Sequence, residues 1–117
     1  MNLYQEQILD HYKSPHNWGE IIDADKVLEG ANVSCGDDLT FYLKLDGDHK
    51  ISDIKWQGRA CAICIASSSM LSDQIVGQTL DQIQKIDINQ IKENLGIPLS
   101  PIRLKCALLP LETLKRK

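Results

Sequence analysis

The chain has 117 residues, 43% of them hydrophobic and 25% charged, a balance that suits one soluble domain with its own core and excludes a disordered chain. A formal net charge of -3, from 13 basic and 16 acidic residues, with no basic stripe among aromatics, argues against nucleic acid as a partner. No apolar run approaches the ~20 residues that cross a bilayer, and Met1-Asn2-Leu3-Tyr4 lacks a secretory signal, so no membrane role and a cytoplasmic location are expected. There the four cysteines act as reduced thiols, metal ligands or small buried hydrophobes rather than disulfides.

Leu3, Tyr4, Ile8, Leu9 and Tyr12 fall near helical spacing and predict an amphipathic opening helix, closed by Pro15. Ser14 to Gly19 reads as a turn-rich loop, and His11 and His16 lie in no ligand-like cluster. From Val27 to Gln57 the period changes to two. Leu39, Phe41, Leu43 and Leu45 alternate with polar residues, and Ile51, Ile54 and Trp56 follow beyond Asp46-Gly47-Asp48, which predicts a hairpin. A further strand over Val27 to Val33 makes a three-stranded meander, with Ser34-Cys35-Gly36-Asp37-Asp38 as a sharp turn carrying a thiol and carboxylates.

Cys61 stands just ahead of a run of small and apolar residues that predicts a helix ending near Gly77. A thiol at a buried helix N-terminus is biased toward thiolate by the free amides and the helix dipole. Thr79 caps a short helix to about Ile86, and Asp87 caps Ile88 to Leu95, which Gly96 stops. A last helix starts at Ser100-Pro101 or nearer Lys105, since Pro110 conflicts with an uninterrupted one. Lys115-Arg116-Lys117 reads as a solvated tail. The expected fold is α+β, one domain over 1–117, a three-stranded antiparallel meander packed against a layer of helices.

Phosphate loops, nucleophile elbows and zinc-protease pairs are absent, so any chemistry belongs to the cysteines. Cys35, Cys61 and Cys106 lie too far apart in sequence for a zinc finger. They are either one site assembled by folding or three unrelated core thiols. Cys64, three residues after Cys61, is a spare ligand, a disulfide partner under oxidation, or a small buried hydrophobe.

The local sequences resemble the U-type iron-sulfur cluster scaffold family, which includes IscU, the N-terminal domain of NifU, and SufU. Asp10-His11-Tyr12 with Pro15, Asn17 and Gly19, then Cys35-Gly36-Asp37, Cys61 with Ile65-Ala66-Ser67-Ser68-Ser69, and Leu99 to Cys106 carry the likeness in order. The resemblance implies a scaffold or carrier rather than an enzyme. It would take sulfur from a cysteine desulfurase, combine it with iron as a transient [2Fe-2S] cluster, and pass the cluster to recipient apo-proteins. Cys35, Cys61 and Cys106 would be thiolate ligands and Asp37 a fourth, harder one, unless Asp37 only bonds its own turn. Zn2+ suits the same residues.

Lys105 stands where IscU-type members carry His, as in SufU-type members, and by its charge is expected to lower the pKa of the Cys106 thiol. That feature raises a second reading, a zinc-dependent sulfur acceptor using Cys35 or Cys106 that stimulates the desulfurase. Yet the interval between Cys61 and Cys106 is of the shorter kind, without the SufU-type insertion. A structural zinc module is the third reading. Leu99 to Arg103 resembles, with Ser100 replacing a proline, the segment that an Hsp70-type chaperone recognises. The expected state is a monomer or weak homodimer.

Overall fold

The computed structural model describes residues 2–116, so Met1 and Lys117, the limits of the expected domain and the last residue of the basic tail, lie outside the described residues. Helix α1 (Leu3–Lys13) opens on a reciprocal cap, in which Asn2 Oδ1 accepts the Gln5 N–H at 2.8 Å and Gln5 Oε1 accepts the Asn2 N–H at 3.1 Å. Strands β1 (Lys26–Asn32), β2 (Asp37–Leu45) and β3 (Ile51–Arg59) form an antiparallel sheet in the order β1-β2-β3, the expected meander. Between β1 and β2 the chain makes one 3₁₀ turn, Val33–Cys35, ended by Gly36 at φ 69.

Alternation along β2 aims Asp37, Leu39, Phe41 and Leu43 at one face, and all four are buried. On β3 the buried residues are Ile51, Ile54 and Trp56, and the break in period matches a register shift in pairing at Lys44/Leu45. In the β2–β3 connection the left-handed residue is His49 (φ 61) rather than Gly47, and Asp46 Oδ1 accepts the Asp48 and Lys50 N–H groups.

The helices α2 (Ala62–Ile75), α3 (Leu80–Gln84), α4 (Ile88–Leu95) and α5 (Pro101–Leu114) complete the α+β architecture. Helix α2 is buried nearly all round, so its serines must find partners inside. Ser67 Oγ donates to the Ala107 carbonyl at 2.7 Å, Ser68 Oγ to Cys64 and Ser72 Oγ to Ser69. The first of these bonds ties α2 to α5. Thr79 and Asp87 cap α3 and α4 as expected, although α3 stops at Gln84, short of Ile86.

Of the two expected starts for α5, the structure has the first, Ser100 capping the Arg103 N–H with Pro101 at the first helical position. Pro110 sits inside α5, buried, and offers no N–H to the Cys106 carbonyl. Where β1 crosses α5, a Cβ on Gly30 would lie 2.0 Å from Thr113 Oγ1, so only glycine lets the two approach this closely.

Candidate metal centre

Three segments of the chain converge at one end of the sheet. The 3₁₀ turn delivers Cys35, the first residue of β2 delivers Asp37, and the second turn of α5 delivers Cys106. Ligand atoms of these three lie within 4.8 Å of one another, the one such group among the described residues. Cys35 Sγ and Cys106 Sγ are 3.5 Å apart. That is near the separation of about 3.8 Å for two thiolates bound tetrahedrally to zinc, and far beyond a disulfide bond.

Asp37 is only 3% exposed. It is not the self-bonding turn residue that was the alternative. As the first inward position of β2 it turns toward the helices, and its Oδ1 accepts the Cys61 N–H at 3.1 Å. Its Oδ2 is buried with no hydrogen-bond partner. A carboxylate oxygen withdrawn from water without a donor is costly, and a cation held with Cys35 and Cys106 satisfies it. The donor set of two thiols and one carboxylate therefore fits a zinc ion or an iron-sulfur cluster.

Cys61 is the N-cap of α2, and its thiol makes no cap hydrogen bond. It is half-buried rather than buried. It falls outside the compact group of three, but it borders it through Asp37, which accepts its backbone N–H. Close approach of the strands leads the chain there, since a Cβ on Gly58 would lie 2.0 Å from the Asp38 carbonyl oxygen.

One expectation is corrected. Cys106 lies in the second turn of α5, on the last helix as expected, and is 2% exposed. Its thiol pKa is raised, first by burial and then by its hydrogen bond to Cys35. Lys105 faces solvent and is absent from the groups acting on that thiol, so burial overrides the lowering expected from its charge. Metal binding through Cys106 must therefore displace a proton.

Cys64 is fully buried, as its reading as a small hydrophobe required, and burial pushes its thiol pKa up. In the unfolded chain this thiol ionises at its ordinary value, about 8.5, while the folded chain keeps it protonated. Stability is therefore fully present below that value and falls as pH rises above it, by about 1.4 kcal/mol per pH unit for one such thiol. Urea unfolding between pH 7 and 10 is expected to show a shallower loss for Cys64→Ala than for the parent. Parallel losses would contradict this.

His11 and His16 take a role that periodicity did not reveal. Their rings pack with centroids 4.4 Å apart, His11 Nδ1 pairs with Ser69 Oγ at 2.6 Å, and His16 Nδ1 pairs with Asp73 Oδ2 at 2.5 Å. With Asn17 Nδ2 donating to Ser72 Oγ and Asp73 Oδ1, they fasten α1 and its loop to α2. The histidines are structural, and neither joins the thiol group.

The NifU-like N terminal domain family matches residues 3–117. The chain is 38% identical over 114 residues to an iron-sulfur cluster assembly scaffold protein IscU of Archaeoglobus fulgidus, an alignment covering 97% of this chain and 73% of the relative. It is 34% identical to the zinc-dependent sulfurtransferase SufU of Bacillus subtilis, covering 97% of this chain and 88% of the relative. That alignment runs over 131 positions against a chain of 117, so SufU carries residues this chain lacks. Among solved structures, a scaffold protein for the SUF system from Fervidobacterium islandicum superposes with a TM-score of 0.82 at 36% identity, covering 94% of this chain and 92% of the other.

Proposed function

The chain belongs to the NifU-like N-terminal domain family, and from that footing we propose that it is a scaffold that combines sulfur and iron into a transient [2Fe-2S] cluster for recipient apo-proteins. The observation that carries the reading is the convergence of Cys35 and Cys106 on a buried Asp37 whose second oxygen has no partner. Cys35, Asp37, Cys61 and Cys106 are the proposed ligands. Three soft thiolates hold the cluster, and the harder carboxylate makes it one that can leave.

Sulfur arrives from a cysteine desulfurase as a persulfide. Of the two acceptor candidates, Cys35 is half-buried on its turn and Cys106 is closed off inside α5, so Cys35 is the first acceptor. Its thiolate attacks the outer sulfur of the donor persulfide, the donor's sulfur–sulfur bond breaks, and the donor cysteine leaves as thiolate. No net oxidation occurs in that step. The protein acts as a carrier in the cytoplasm, its partners the desulfurase and the recipient apo-proteins. The segment Leu99–Arg103 forms the exposed entry to α5, with Ile102 66% exposed, and is open to a chaperone of the Hsp70 type.

Lys105 favours a second reading, a zinc-dependent sulfur acceptor like the Bacillus relative. The same four side chains would then hold zinc, which when bound keeps thiols deprotonated near neutral pH. Mixing the cluster-loaded chain with an apo-ferredoxin separates the two. Transfer of the visible absorption to the ferredoxin is expected. A chain that retains zinc, passes no cluster and accelerates the desulfurase supports the second reading instead.

A further inference from the structure

Sulfur handed over as a persulfide is at the level of sulfane sulfur, and a cluster needs sulfide, two electrons more reduced. We propose that Cys61 and Cys64 supply those electrons as a dithiol, Cys61 carrying the persulfide and Cys64 resolving it; this rests on the sulfur-accepting role argued above.

The geometry begins with position on α2. Cys61 is the N-cap and Cys64 the third helical residue. The two are thus three residues apart at a helix start, the spacing of a Cys-x-x-Cys dithiol. The Cys61 thiol is not spent on a cap bond. The two thiols also differ as such a pair requires. Cys61 is half-buried and open to a donor, whereas Cys64 is 0% exposed and reachable only from within the protein. Cys64 is outside the proposed ligand set and stays a thiol when the other three hold metal.

The step balances without an outside oxidant. Cys61 takes the outer sulfur from a persulfide on the desulfurase or on Cys35. The Cys64 sulfur then attacks the Cys61 sulfur, the persulfide bond breaks, and the outer sulfur leaves with the Cys64 proton as hydrogen sulfide. The dithiol is oxidised to a Cys61–Cys64 disulfide and the sulfane sulfur is reduced to sulfide. An external dithiol reductant then restores the pair, and Cys61 returns to the ligand set.

The test treats reduced, metal-free protein anaerobically with glutathione persulfide and no other reductant, then traps sulfide and digests with trypsin. Cys61 and Cys64 fall in one peptide, Ala60–Lys85. The wild type is expected to release one sulfide per chain and yield that peptide two hydrogens lighter. Cys64→Ala and Cys64→Ser are expected to lose the sulfide release and keep the peptide one sulfur heavier. A wild-type peptide that stays one sulfur heavier, a disulfide joining Cys35 to Cys106 instead, or equal sulfide release from the variants overturns the proposal. The wild-type peptide decides even if both variants fail to fold. Because this donor bypasses the desulfurase, a chain that converts it yet ignores the desulfurase refutes only the sulfur-accepting role. A chain that takes sulfur from the desulfurase and holds it on Cys61 without sulfide refutes only the dithiol.

Discussion

Trp56→Ala is expected to lower the unfolding free energy by about 3–5 kcal/mol, the range for emptying the site of a large buried aromatic. Trp56 is 0% exposed and stacks on Phe41 with centroids 6.1 Å apart. It also gathers the loop after α1. Its Nε1 donates to the His16 carbonyl at 2.8 Å, its backbone N–H to Asn17, and its carbonyl accepts the Gly19 N–H. Trp18 meets its ring edge-on at 5.0 Å. Truncation therefore opens a cavity and leaves the His16 carbonyl without its donor, so Trp56→Phe should restore most of the packing but not that bond. Urea denaturation of the two variants measures both parts, and a loss below about 1 kcal/mol for Trp56→Ala contradicts the core described here.

The second large effect is on metal. Cys106→Ser keeps the volume of a side chain that is 2% exposed, and its hydroxyl has Cys35 and Asp37 as neighbours, so the fold should survive. Affinity for zinc should fall by more than the roughly 10–100-fold that losing an outer-layer partner costs, because a direct thiolate donor is removed. Equilibrium competition with a chelator, alongside far-ultraviolet circular dichroism, reads the two separately. An unchanged affinity would remove Cys106 from the ligand set.

Much of this molecule was legible in order of its residues. The alternation Leu39, Phe41, Leu43 announces a half-buried strand, and Thr79, Asp87 and Ser100 stand where helices begin, because both signals depend on near neighbours. Pro110 left the start of α5 open for the same reason. Its local penalty favours a break, but α5 is pinned by the Ser67 bond to Ala107 and by burial of Cys106, Leu109 and Leu111, so tertiary packing carries the helix through. At the site, sequence likeness pointed to Cys35, Asp37, Cys61 and Cys106, while only the fold brings Asp37 to the Cys61 amide and leaves its other oxygen unpartnered. The charge of Lys105 was visible and its distance from influence was not, since burial of the next residue is set by the far side of the helix. The tilted packing of His11 against His16 depends on α1 docking against α2, which no local pattern encodes.

The most direct measurement is anaerobic reconstitution with ferrous iron, cysteine and a cysteine desulfurase, following visible charge-transfer absorption and bound iron and sulfide in the wild type and in Cys61→Ser. A coloured wild type holding iron and sulfide in equal amounts, with the colour lost in the variant, is the predicted result. A colourless wild type that keeps zinc while the desulfurase runs faster would contradict the scaffold and make the chain a sulfur acceptor.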